Sequence, residues 1–125
     1  MKYNGYKDLE IYQMSYKLAL NIHVISLKMP KFELYEEGSQ IRRASKSIVA
    51  NIVEGFGRRR YKKEFIRFLT FAHASCDETK VHLNFIFDTD YIPKEIFNKY
   101  CVEYDKLGQK IHNFIIVIEK DVISG

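Results

Sequence analysis

The densest chemistry in this sequence is cationic. Arg42, Arg43, Lys46, Arg58, Arg59, Arg60, Lys62, Lys63 and Arg67 stand within one window, opposed there only by Glu54 and Glu64. The window therefore carries +7, whereas the whole chain carries +4, so the remainder is acidic. Charge concentrated in this way suits polyanions. The planar fork of arginine matches phosphate oxygens, and each neutralised phosphate releases counterions. Phe56 and Tyr61 flank the arginine run and offer rings on which unpaired bases can stack. A second reading keeps the same residues as solvated charges with internal partners, such as Arg42, Arg43 or Arg58 with Glu54. An arginine near a helix C-terminus also complements the helix dipole.

The other reactive residue types do not assemble into a recognisable site. A di-iron centre in a helical bundle needs Glu-x-x-His pairs, and the sequence has none. Glu78 and His82 stand four apart and can share a face, but no second pair opposes them. Ser45 and Ser47 have no His and Asp arrangement around them. Cys76 has His73 one turn away, yet it falls on an apolar stripe, where a thiol is poorly ionised. Gly55-Phe56-Gly57 is too short for a dinucleotide loop and follows no strand. The expectation is a protein that is not an enzyme, with no catalytic residues, no metal and no cofactor.

The elements that must position the cations are helices. A chain of 125 residues suits a single domain, and only two prolines and six glycines punctuate it. Ile11, Ser15, Leu18, Ile22, Ile25 and Met29 recur at helical spacing over about 8–29, with Asp8 as the expected N-cap and Pro30 as the stop. A second helix, about 38–55, carries Ile41, Ser45, Ile48 and Ile52. Its small residues Ala44, Ser45, Ser47 and Ala50 allow a close neighbour. Gly55 and Gly57 are expected to end it in the left-handed conformation. The third, about 61–88, shows Phe65, Phe68, Leu69, Ala72, Cys76, Thr79, Leu83 and Ile86. After a turn at 88–91, Pro93 suits the first turn of the fourth, about 93–121. That helix carries Phe97, Tyr100, Tyr104, Leu107, Ile111, Phe114 and Ile118. The reading is all-α: an antiparallel up-down-up-down four-helix bundle joined by short loops.

On such a bundle Arg58 to Lys63 and Arg67 gather at one end, while Arg42 lies nearer the other. Asn51 and Glu54 are expected to brace the Gly55-Phe56-Gly57 turn. Phe114-Ile115-Ile116-Val117-Ile118 is apolar on several sides, which fits either a tightly buried final helix or packing against another subunit. No window is long enough to span a bilayer, and the N-terminus lacks a signal-peptide core. With two isolated cysteines, Cys76 and Cys101, the expected compartment is the cytoplasm, without membrane association.

The central stretch resembles a known family. Asp8-Leu9, Gln13, Gln40-Ile41-Arg42-Arg43-Ala44, Ser47-Ile48, Asn51-Ile52 and Glu54-Gly55-x-Gly57-Arg58, continued by Glu64-Phe65 and Phe68-Leu69, resemble the bacterial 23S ribosomal RNA intervening-sequence proteins. The accessory variability determinant of diversity-generating retroelements is similar to these. The resemblance covers nearly the whole chain. It implies an antiparallel four-helix bundle and a homo-oligomer, with a barrel-like pentamer as the associated form. In the retroelement branch it implies a basic surface that binds nucleic acid, RNA or DNA, and a reverse transcriptase. Arg42, Arg43 and Arg58 match basic motif positions, and Gln40, Asn51, Glu54, Gly55 and Gly57 match the structural motif. Tyr12 stands where the family often has Trp. Tyr61 stands where a Ser or Thr cap is usual before Glu64, so half of a capping box is missing.

Overall fold

The computed structural model describes residues 3–121. A short 3-10 turn, Tyr6–Asp8, precedes five helices: α1 (Glu10–Leu27), α2 (Lys31–Tyr35), α3 (Glu37–Gly57), α4 (Lys62–Asp88) and α5 (Lys94–Lys120). Four are long and form the bundle, and no strand occurs among the described residues. Side-chain pairings give the direction of each helix. Glu37 meets His82 and Ser47 meets Ser75, so α3 and α4 run antiparallel. Lys62 meets Glu119 and Cys76 meets Tyr104, so α4 and α5 do too. Ser26 meets Arg42 across α1 and α3, and an ion pair joins Glu10 of α1 to Lys110 of α5.

The apolar stripes meet at the centre as the periodicity requires. Ile22, Ile41, Ile48, Ile52, Phe65, Leu69, Leu83, Leu107 and Ile111 are all buried in one core. The small residues of α3 bring α4 close. Ala44 and Ser45 are buried, and the hydroxyls of Ser47 and Ser75 lie 3.0 Å apart across the contact.

Several helix ends differ from the sequence expectation. Asp8 does not cap α1. It ends the 3-10 turn, and its carboxylate accepts the Asn4 N–H at 2.9 Å. Leu9 takes the cap position with extended backbone, because its side chain is needed in the core. The segment after Pro30 is not a plain connector: it forms α2, opened by the Leu34 N–H donating to the Pro30 carbonyl at 2.8 Å. Pro93 precedes the first turn of α5 as its cap residue, with φ −74° and ψ 161°.

Gly55 and Gly57 do not adopt the left-handed conformation, since no described glycine has positive φ. Both are helical, and Arg58 closes α3 at φ −103° and ψ 13°. Gly55 is required by packing instead. A Cβ there would lie 3.1 Å from Phe68 Cβ and 3.3 Å from the Phe65 carbonyl oxygen. The left-handed position falls at Asp90, φ 67°, in the turn between α4 and α5, where a short polar side chain tolerates it.

Candidate nucleic-acid interface

The basic end is built where α3 hands over to α4. The Arg58 N–H donates to the Gly55 carbonyl and the Arg59 N–H to the Phe56 carbonyl, which closes α3. The Tyr61 N–H then donates to the Arg58 carbonyl at 2.8 Å, so Arg58, Arg59 and Arg60 form one tight turn. Tyr61 is the extended residue before α4, and its carbonyl accepts the Glu64 and Phe65 N–H groups. Tyr61 makes no side-chain cap, in keeping with the missing half of the capping box.

The cations of this end divide into two sets. Arg58 is committed to acids: Nε donates to Glu54 at 3.2 Å and Nη1 to Glu64 at 3.3 Å. Arg67 reaches the other Glu64 oxygen at 3.4 Å. These pairs are largely exposed, so they contribute little to stability but do neutralise one another. Among the described residues Arg59, Arg60, Lys62 and Lys63 have no acidic partner. Arg59 lies 4.0 Å over the Phe56 ring and donates to the Phe56 carbonyl. Lys62 donates to the Glu119 carbonyl at 3.0 Å, which ties the C-terminus of α5 to this end. Lys120, the exposed last residue of α5, is the next one along.

Rings here are mostly covered. Phe56 is 4% exposed and makes edge contacts with Tyr3 and Phe65, so it is a core residue rather than a stacking platform. Phe68 carries Arg58 at 4.8 Å and Arg67 at 5.5 Å. Tyr61 is different: it is 63% exposed and no described ring packs against it.

Arg42, Arg43 and Lys46 are not part of this end. The Arg42 guanidinium is half-buried and donates to Ser26 Oγ at 2.8 Å and to the Leu34 carbonyl at 3.0 Å. It ties α1, α2 and α3 together, and Gly38 leaves it room, since a Cβ there would lie 3.1 Å from Arg42 Nη1. Its place as a phosphate contact, and its pairing with Glu54, both give way to this internal role. The signal was present in the sequence as Ser26 and Gly38, neither of which has meaning until the helices are assembled. Lys46 and Arg43 are exposed, and Lys46 lines a groove of about 380 Å³ between α1 and α3 with Tyr16, Leu20, His23 and Val49.

The remaining motif residues are local braces. Asn51 Nδ2 donates back to the Ser47 carbonyl at 2.9 Å and does not reach the Gly55-Phe56-Gly57 segment. Glu54 does brace it, through Arg58. Gln40 is exposed. His82 is not paired with Glu78; its Nδ1 lies 2.7 Å from Glu37 Oε2, within hydrogen-bonding distance, a contact linking α4 to the start of α3. Among the described residues no three His, Cys, Asp or Glu side chains are placed to share a metal. Both cysteines are free thiols. Burial pushes the Cys76 thiol up from its ordinary 9.0 to about 11, and Cys101 is raised for the same reason.

Two helices expose apolar side chains. On α1 they are Tyr16, Leu20, Val24 and Leu27, at steps of four and three; on α4 they are Phe71 and, ten residues on past the exposed Glu78, Val81 and Phe85. The end of α5, which in the sequence fits a buried final helix or a subunit contact, is mostly satisfied within the chain: Ile118 is buried, Phe114 and Ile115 pack on the core, and only Val117 is well exposed.

The fold and its charged end define a four-helix bundle with a cationic pole where α3 meets α4. The family model for the 23S rRNA-intervening sequence protein matches residues 7–113, and the chain belongs to that family. Its fold is also similar to a crystal structure from Bacteroides thetaiotaomicron, described as a protein of unknown function from the S23 ribosomal protein family. The TM-score is 0.76 at 23% identity, over 84% of this chain and 94% of that one. No curated protein matches the chain. Among the described residues no helix is long and apolar enough to cross a membrane.

Proposed function

We propose that this protein is a non-enzymatic homo-oligomer that binds nucleic acid through the pole formed by Arg59, Arg60, Lys62 and Lys63. One observation carries the reading: four cations of the α3–α4 junction have no acidic partner among the described residues, while the acids nearby, Glu54 and Glu64, are already held by Arg58 and Arg67. Arg59 and Lys62 each donate to a backbone carbonyl of their own chain, and Arg60 and Lys63 do not among the described residues. Cations without acidic partners repel each other and are relieved by a polyanion.

Assembly rests on the exposed stripes of α1 and α4. They lie on two different helices of the bundle. Two different apolar faces on one subunit favour head-to-tail contacts, which close into a ring when the rotation allows. A pentamer fits such closure and is the form the family resemblance implies. A second reading makes the protein a scaffold or accessory subunit, for example to a reverse transcriptase, whose arginines make subunit and partner contacts.

The deciding experiment measures the mass of the purified protein alone and its binding to short RNA and DNA over a range of salt. A ring-sized mass with affinity falling as salt rises supports the first reading. An oligomer that shows no salt-dependent binding favours the scaffold.

A further inference from the structure

We propose that the basic pole selects unpaired strands, with Tyr61 as the surface on which one base stacks while Arg60 and Lys63 hold the flanking phosphates. This rests on the nucleic-acid reading above and names the substrate class within it.

The argument begins with what each aromatic ring near the pole is doing. Phe56 is buried and its face is covered by Arg59. Phe65 is buried, with Phe114 against it edge-on at 5.7 Å. Phe68 lies under two guanidinium groups. Tyr3 is held by edge contacts to Phe56 and Phe114. Tyr61 has none of these commitments. Its ring is solvent-facing, and the closest described cation, Arg60, has its guanidinium carbon 6.0 Å from the ring centroid, at the limit of cation–π reach.

Tyr61 is nevertheless rigidly placed. Its N–H is bound to the Arg58 carbonyl, its own carbonyl holds two amides of α4, and it stands at φ −104° and ψ 97°. A fixed backbone leaves only the two side-chain torsions of the tyrosine to be ordered when a base stacks on it. Arg60 precedes it and Lys62 and Lys63 follow, so the ring sits within a run of cations. Successive phosphates of a nucleic-acid strand alternate with bases, and this order of charge, ring, charge is complementary to that spacing.

The distinction between strand types follows. A duplex satisfies the cations equally well, but its bases are stacked on one another and offer no free face. An unpaired base does offer one, and stacking on an aromatic side chain adds about 1–3 kcal/mol without regard to sequence. The cations therefore set affinity and salt dependence, and Tyr61 sets the preference for single strands in either RNA or DNA.

The test uses the full chain and its Tyr61→Ala and Tyr61→Phe variants. The probes are labelled oligouridine and oligothymidine, with a hairpin duplex of equal phosphate number, all compared at the same series of salt concentrations. Because Tyr61 packs on no ring, both variants should retain the helical signal and melting profile of the parent. Tyr61→Ala should weaken single-strand binding about tenfold, leave the duplex unchanged and leave the salt slope unchanged; Tyr61→Phe should bind like the parent. A loss shared equally by the duplex, no loss on single strands, or a parent protein that favours the hairpin would each overturn the inference while leaving the basic pole intact as a phosphate site. A parent protein that binds none of the probes overturns the nucleic-acid reading and this inference with it.

Discussion

The Arg42 guanidinium of α3 donates to Ser26 Oγ of α1 at 2.8 Å, and the Ser26 hydroxyl in turn donates to the His23 carbonyl at 2.8 Å. A second Arg42 nitrogen holds the Leu34 carbonyl of α2. One cation thus organises the corner where three helices meet. Replacing it leaves a half-buried carbonyl and a buried hydroxyl short of a donor. Arg42→Ala should lower stability by about 2 kcal/mol in urea unfolding. The same variant should leave nucleic-acid binding and its salt dependence as they were. Arg42→Lys should recover only part of the stability, since an ammonium lacks the fork that reaches both partners.

Gly55 and Gly57 should respond to alanine with opposite signs. At Gly55 a Cβ would press on Phe68 Cβ and on the Phe65 carbonyl, neither of which is the free end of a flexible side chain. Gly55→Ala should cost about 1–3 kcal/mol through this overpacking, despite the better helix propensity of alanine. At Gly57 nothing lies within 4 Å of the added carbon and the backbone is helical. Gly57→Ala should therefore stabilise by about 0.5–1 kcal/mol. Thermal unfolding of the two variants checks both signs.

This pair also marks how far the sequence could be read. The four long helices, their antiparallel order and nearly all of the core were legible, because 3.6-residue periodicity reports which face is buried. The glycines were misread because the same residue serves a left-handed turn and a close helix contact, and only the position of Phe65 and Phe68 distinguishes them. Arg42 reads in the sequence as a phosphate contact or a partner of Glu54, because its actual partners, Ser26 and the Leu34 carbonyl, lie 16 and 8 residues away. A backbone acceptor leaves no trace in residue identity. The cluster from Arg58 to Lys63 was legible as charge. Which of its members are free was not, since Glu54 and Glu64 are close in sequence to all of them.

Tyr104 is fully buried, and its hydroxyl has no hydrogen-bond partner. Removing an unsatisfied hydroxyl relieves its desolvation cost, so Tyr104→Phe should raise stability by about 1 kcal/mol. Its neighbour Cys76 predicts a pH dependence. The folded thiol titrates at about 11, against 9.0 in the absence of burial. Between those values the unfolded chain binds fewer protons than the folded one, so stability falls as pH rises through that window. Below the lower value the stability this group contributes is fully present. Tyr104, raised in the same direction by burial, adds to the alkaline loss. Urea midpoints across the alkaline range should decline, and Cys76→Ala should make the decline shallower.

The apolar stripes predict where assembly fails. Leu20→Glu on α1 and Phe85→Glu on α4 each place a charge on a face that is exposed in the single chain, so neither should unfold the bundle. Each should lower the mass of the assembled protein in solution, and light scattering reads this directly. An unchanged mass in both variants would separate the stripes from assembly.

The central claim is that Arg59, Arg60 and Lys63, exposed and without acidic partners among the described residues, meet phosphates whereas the half-buried Arg42 does not, and one measurement addresses it directly. The logarithm of the single-strand association constant is plotted against the logarithm of salt concentration for the parent, for Arg59→Ala/Arg60→Ala/Lys63→Ala, and for Arg42→Ala. Each lost phosphate contact removes about 0.7 from the slope. The account predicts a slope shallower by about 2 for the triple variant and one unchanged for Arg42→Ala. A triple variant with the slope of the parent, or an Arg42→Ala slope that flattens in its place, would contradict it.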